Sequence, residues 1–223
     1  MTSRLSSPRE NRAATATRRM ALAALISAIP AALLAGCDQS GGWVGTDVSG
    51  SLPPLAFSLI RAADGKAATA ADYLGKVVLL YFGYTFCPDV CPATLLNLSM
   101  ALRKLGRRRE SVRILFVTVD PGRDTLEALK QYASSFAPDV VGLRGAADQI
   151  AALARRYRVA YSVKPSPNPA DYEVVHSAAV YVFDASGAAR LLFEGASSQK
   201  ADLGGFARDI GRLVDQSRSS AGS

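Results

Sequence analysis

The chain has 223 residues, 49% of them hydrophobic, a formal net charge of +7, and three cysteines beside a single histidine. That length and apolar content suit one folded domain with a sizeable core. The basic balance is not a nucleic-acid footprint: five arginines against one glutamate fall in residues 1–19, so four of the seven net charges belong to the segment described next, and no nucleic-acid partner is expected.

Arg4, Arg9, Arg12, Arg18 and Arg19 precede a mostly apolar stretch over residues 20–34. Those residues are too few to span a bilayer, which takes about 20, and the arrangement is that of a targeting segment. Leu34-Ala35-Gly36-Cys37 resembles the lipobox of bacterial lipoproteins, which makes Cys37 the lipidated first residue of the mature chain. Thr17-Arg18-Arg19-Met20 also resembles a twin-arginine export signal, and general secretory export stays open beside it. Asp38 resembles an inner-membrane retention signal. The expected organisation is a lipoprotein signal peptide over residues 1–36, a flexible Gly- and Pro-bearing tether over 37–52, one domain over 53–215, and a disordered tail over 216–223.

Along the domain, residues 55–61 and the Asp64-Gly65 turn predict a short hairpin, residues 70–74 a helical turn, and the apolar run at 77–82 a buried strand. Leu95, Leu98, Leu102 and Leu105 recur at helical spacing over 92–105, ahead of Gly106, and Arg107-Arg108-Arg109 reads as a solvated helix end. Residues 113–119 predict a second buried strand. Asp124-Thr125-Leu126-Glu127 resembles a capping box opening a helix through Leu129, Tyr132 and Phe136. A short strand at 140–143 and a helix carrying Ile150, Leu153 and Tyr157 lead to a loop over 164–172 with Pro165, Pro167 and Pro169. Strands at 177–183 and 189–193 predict a hairpin about Asp184-Ala185-Ser186-Gly187, and Leu203, Phe206, Ile210, Leu213 and Val214 a closing amphipathic helix. The expected fold class is α/β, a central mixed sheet flanked by helices, with an N-terminal hairpin.

Cys87-Pro88-Asp89-Val90-Cys91-Pro92 sits where the strand at 77–82 gives way to a helix. Pro92 fits the first helical position, so Cys91 is expected at the N-cap, where free N–H groups and the helix dipole favour its thiolate. With Cys37 lipidated, Cys87 and Cys91 remain as a pair. A disulfide closing so short a loop removes little unfolded-chain entropy, so a redox or metal role is expected over a structural staple. His176 adds an imidazole. A lone histidine at a strand end is ordinarily a satisfied structural group, but beside this cysteine motif it is expected to be a third ligand. Two thiolates and an imidazole suit Cu(I) and can hold Cu(II), while the ligand count leaves zinc open. Met100, on the amphipathic helix, is expected in the core.

Tyr81-Phe82-Gly83-Tyr84-Thr85-Phe86-Cys87-Pro88-Asp89-Val90-Cys91-Pro92, Val117-Thr118-Val119-Asp120-Pro121-Gly122-Arg123-Asp124-Thr125 and Val175-His176-Ser177 together resemble the Sco/SenC family over roughly residues 52–215. The resemblance implies a thioredoxin-like fold, a tether to the outer face of the cytoplasmic membrane, and copper held by Cys87, Cys91 and His176. It implies a metallochaperone serving the dinuclear copper centre of cytochrome c oxidase rather than an enzyme. The alternative is a thiol–disulfide oxidoreductase, with Cys87 and Cys91 as redox pair, that reduces the oxidase's copper-ligand cysteines. The expected partners are the oxidase's copper-centre subunit, a copper donor protein, a thioredoxin-like reductant, and the membrane through the lipid at Cys37. One position departs from the family pattern: Val175 stands where an aspartate often precedes the histidine, leaving Asp120, Asp171 or Glu173 as candidates to orient the imidazole.

Overall fold

The computed structural model describes residues 42–164 and 172–220. The targeting segment, Cys37, Asp38, the three loop prolines, Asp171, the Glu173 side chain and residues 221–223 lie outside that description.

Two apolar runs set the middle of the molecule. β4 (Val77–Gly83) is buried at every residue, and β5 (Val112–Thr118) at all but Arg113. They pair in parallel, Val77 opposite Val112 through Gly83 opposite Thr118. Strands covered on both faces have no solvent side on which to place polar residues, which explains the absence of alternation. β6 (Val140–Arg144) extends the parallel set beyond β5, and β9 (Val180–Phe183) pairs antiparallel with the other edge of β4. With β10 (Ala189–Phe193), β1 (Thr46–Asp47), β2 (Ser58–Arg61) and β3 (Ala67–Thr69), the order of the eight-stranded mixed sheet is β1-β10-β9-β4-β5-β6-β2-β3. A separate ribbon, β7 (Tyr161–Lys164) with β8 (Glu173–His176), pairs antiparallel outside it.

Helices fill the connections as the apolar spacing predicts. α1 (Val90–Arg103) joins β4 to β5 and buries Leu95, Leu98 and Leu102. α2 (Leu126–Ser134) joins β5 to β6 and buries Leu129. α3 (Ala147–Arg156) follows β6, and α4 (Leu203–Ser220) closes the fold and packs on α1. No helix among the described residues is long and apolar enough to cross a membrane.

Several expectations are corrected. The segment read as tether is docked from Trp43 onward: Val44 and Gly45 donate their amides to the buried Asp209 carboxylate at 2.8 and 2.9 Å, and Thr46 and Asp47 pair with β10. Gly45 lies so flat on Phe193 that a Cβ there would stand 2.7 Å from its ring. The closing helix continues to Ser220, through most of the expected tail. Asp124 does not cap α2; Thr125 does, its hydroxyl accepting from the Ala128 amide at 3.1 Å. Met100 is 39% exposed on α1 rather than in the core. The strand expected from Ser177 begins at Val180, and His176 instead ends β8.

Candidate metal centre

The last residue of β4 is a glycine because the chain there passes close to two neighbours: a Cβ at Gly83 would come within 2.6 Å of the Phe116 ring and 2.8 Å of Cys91 Sγ. A short loop follows, tied by the Cys87 amide donating to the Tyr84 carbonyl at 3.3 Å. α1 then opens two residues earlier than Pro92 implied, with Asp89 as N-cap and Cys91 at the second helical position. Pro92 is third, still inside the first turn where its missing N–H costs no helical hydrogen bond.

This shift exchanges the expected roles of the two sulfurs. The Cys91 amide, one of the helix's unpartnered donors, points at Cys87 Sγ from 3.3 Å. Cys87 is therefore the thiol that the helix start favours. It is pushed down to about 4, chiefly by the hydrogen bond from the Cys91 thiol, with His176 and the Cys91 and Asp89 amides adding to it against the cost of burial. Cys91 is fully buried and pushed up, by that same bond with Cys87 and by desolvation, so it keeps its proton. Cys87 sits at the surface end of the pair with 9% exposure, and both cysteines are free thiols.

His176 arrives from the ribbon with Nε2 3.1 Å from Cys91 Sγ. Its Nδ1 stands 3.0 Å from the Ser177 carbonyl. A carbonyl only accepts, so Nδ1 donates its N–H to Ser177, and Nε2 is the ring nitrogen that faces the sulfurs. Tyr81 and Tyr84 meet the imidazole edge to face, with centroids at 6.1 and 5.8 Å. The ligand atoms of Cys87, Cys91 and His176 all lie within 4.8 Å of one another, the only such group of three or more among the described residues.

The carbonyl of Ser177 thus supplies the orienting acceptor that Val175 does not. Val175 is 42% exposed, and alternation along β8 turns it away from His176. Asp120, one of the expected substitutes, is occupied elsewhere: it accepts from Arg123 Nε at 2.5 Å and from the Tyr172 hydroxyl. Asp124, unremarked as a site residue in the sequence, is fully buried and takes the Thr85 amide at 3.0 Å, the Thr85 hydroxyl at 2.6 Å and the Thr118 hydroxyl at 2.5 Å. Burial raises it, against those hydrogen bonds. Thr85 stands two residues before Cys87, so Asp124 steadies the cysteine loop from below; the Asp-Pro segment was the available signal.

A Cys-x-x-x-Cys turn leaving a parallel strand for a helix, with a histidine brought in from outside the sheet, defines a thioredoxin-like protein with a soft metal centre. Residues 54–209 match the family model SCO1/SenC, and the chain belongs to that family. The mitochondrial SCO2 homolog of Bos taurus is 45% identical over 133 residues, 59% of this chain and 50% of that protein. The mitochondrial SCO1 homolog of Mus musculus is 38% identical over 151 residues, 67% of this chain and 52% of its own length. The chain therefore spans about half the length of these relatives. Among solved structures, Bradyrhizobium japonicum ScoI with copper bound is 37% identical with a TM-score of 0.64, covering 72% of this chain and 98% of that one. Arabidopsis thaliana ScoI with copper bound is 33% identical with a TM-score of 0.65, covering 73% and 98%.

Proposed function

We propose that this chain is a copper metallochaperone, held by a lipid on Cys37 at the outer face of the cytoplasmic membrane, that passes copper to the dinuclear copper centre of a cytochrome c oxidase. The observation that carries the reading is the convergence of Cys87, Cys91 and His176, in a family whose copper-bound members share a third of the sequence or more. Copper is cargo here. Cys87, already a thiolate, offers the first sulfur; Cys91 must release its proton to join, and His176 contributes Nε2. Delivery is ligand exchange: a thiolate of the acceptor displaces one ligand at a time, and no bond of a small substrate is broken.

A second reading has its own observation, the inequality of the two thiols. In a thiol–disulfide oxidoreductase the Cys87 thiolate attacks a partner disulfide and forms a mixed disulfide. Cys91, losing its proton, then attacks Cys87 Sγ, leaving the partner as a dithiol and this chain as a Cys87–Cys91 disulfide for an external thioredoxin-like reductant. His176 has no required part in that exchange.

His176→Ala separates the two. A chaperone carrying it loses oxidase assembly when copper is scarce and regains it when copper is added, while the purified variant still reduces a test disulfide. Full assembly by His176→Ala under copper limitation, together with failure of Cys87→Ser, would make reduction the physiological role. Anchoring is tested by Cys37→Ala, which is expected to release the protein from the membrane fraction or block its processing; an unmodified mature terminus at another residue would refute the lipid anchor.

A further inference from the structure

The ribbon that carries His176 is hydrogen-bonded to neither edge of the eight-stranded sheet, so something else must set the imidazole against the sulfurs. Within the ribbon, Tyr161 faces His176 across the pair, and the Ser177 amide donates to the Ala160 carbonyl at 2.9 Å. These contacts fix β8 to β7 but not to the cysteine loop. Only Val174 among the described side chains of β8 is buried, while Val175 and, on β7, Val163 are 42% and 51% exposed.

The loop from Asp120 to Asp124 touches both sides. Toward the ribbon, Tyr172 precedes β8 directly, donates its hydroxyl to Asp120 and lies under the Arg123 guanidinium at 3.8 Å. Arg123 Nε closes the triangle on Asp120, whose side is nearly shut off from water at 4% exposure. Arg123 also approaches Phe86 at 5.1 Å and Tyr84 at 5.8 Å, one and three residues before the first cysteine, and Tyr84 in turn contacts the imidazole. Toward the cysteines, Asp124 grips Thr85. Thr118 ties the Asp120 backbone to the Asp124 carboxylate: its hydroxyl accepts from the Asp120 amide at 3.0 Å and donates to Asp124 at 2.5 Å. Arg144 on β6 pins the loop through the carbonyls of Pro121 and Asp124 at 2.7 and 2.9 Å.

Resting on the copper reading above, we propose that Asp120, Arg123 and Tyr172 are positioning residues, a latch that holds the His176 ribbon at ligating distance from Cys87 and Cys91. A single rigid loop then references the third ligand to the first two, although 85 residues separate Cys91 from His176 in the chain. Outer contacts of this kind typically carry about 10–100-fold of a metal site's affinity.

The test is Tyr172→Phe in the full chain, which keeps the ring against Arg123 and removes the hydroxyl, with Tyr172→Ala as a stronger step in the same direction. In the metal-free protein, amide exchange across β8 and Ser177 is expected to quicken about tenfold while β4 and β5 keep wild-type protection. On Cu(II) loading, the nitrogen coupling from His176 is expected to weaken in the electron paramagnetic spectrum, with affinity down about 10–100-fold. Unchanged exchange in β8 with an intact nitrogen signal would overturn the latch. So would exchange that rises equally in β4 and β5, because Tyr172 would then be a general staple of the fold. A wild type that retains no copper would overturn the functional reading, and the exchange measurement would still decide the latch.

Discussion

The two halves of the metal centre stand on unlike ground. Cys87 and Cys91 leave the end of β4, a strand buried at every residue and flanked on both edges by other strands. His176 ends a two-stranded ribbon outside the sheet, with Val163 and Val175 turned to water. The comparison teaches a division of labour: the core fixes the sulfurs, and local polar contacts fix the imidazole. Changes beneath the cysteines are therefore expected to cost folding stability, and changes around the histidine to cost metal affinity at nearly constant stability.

The largest stability effect belongs under the cysteines. Phe116 is fully buried and packs against Tyr81 and Tyr132 at centroid distances of 5.9 and 5.4 Å. Phe116→Ala is expected to lower unfolding free energy by about 3–5 kcal/mol, read by denaturant titration. A loss near that of an exposed site would break the contrast between the halves.

Gly83→Ala comes next. Its new methyl would press on both Phe116 and Cys91 Sγ, and overpacking of this kind costs about 1–3 kcal/mol. Because one of the displaced atoms is a ligand, copper affinity is expected to fall with stability; stability falling alone would show that the sulfur tolerates the shift.

A smaller effect comes from the unequal thiols. Cys87 is held down to about 4 in the folded chain, against about 8.5 when unfolded. Between those values the unfolded chain binds the extra proton, so Cys87 makes the reduced, metal-free protein more stable as pH rises through the window, and that contribution is lost as pH falls toward about 4. Cys91, pushed up, works in the opposite direction above about 8.5, where the unfolded chain sheds a proton that the folded one keeps. Denaturation of wild type and Cys87→Ser at about pH 5 and about pH 8 should show a shallower rise for the variant. Parallel slopes would mean that Cys87 is an ordinary thiol.

The smallest expected change is Val175→Asp, which restores the aspartate common in the family. The side chain faces solvent and Ser177 already accepts from the imidazole, so the effect on apo-protein stability is expected within about 0.5 kcal/mol, with copper affinity nearly unchanged. A marked gain in affinity would show that Ser177 is an incomplete substitute.

The same division explains what the sequence disclosed. β4, β5 and α1 are written as continuous apolar runs and 3.6-residue spacing, patterns that burial itself imposes, and the cysteine motif falls between them. β7 and β8 are four residues each, carry too few apolar positions for a period to register, and flank a proline-bearing segment, so the sequence assigns them no strands. The start of α1 was misplaced because proline is acceptable anywhere in the first turn, and that error reversed which sulfur the helix favours. Asp124 read as a cap because local spacing is all that a capping pattern uses; its real partners, Thr85 and Thr118, are brought to it by the fold.

One soft centre is built from all three residues, and metal retention tests this directly. The reduced, purified chain, loaded with copper and dialysed against a chelator, is expected to keep one ion per molecule. The double variant Cys87→Ser with Cys91→Ala should keep none, and His176→Ala should bind with affinity lowered by roughly 100-fold or more, beyond the range of an outer contact. Copper retention by the double cysteine variant equal to that of the wild type would contradict the account.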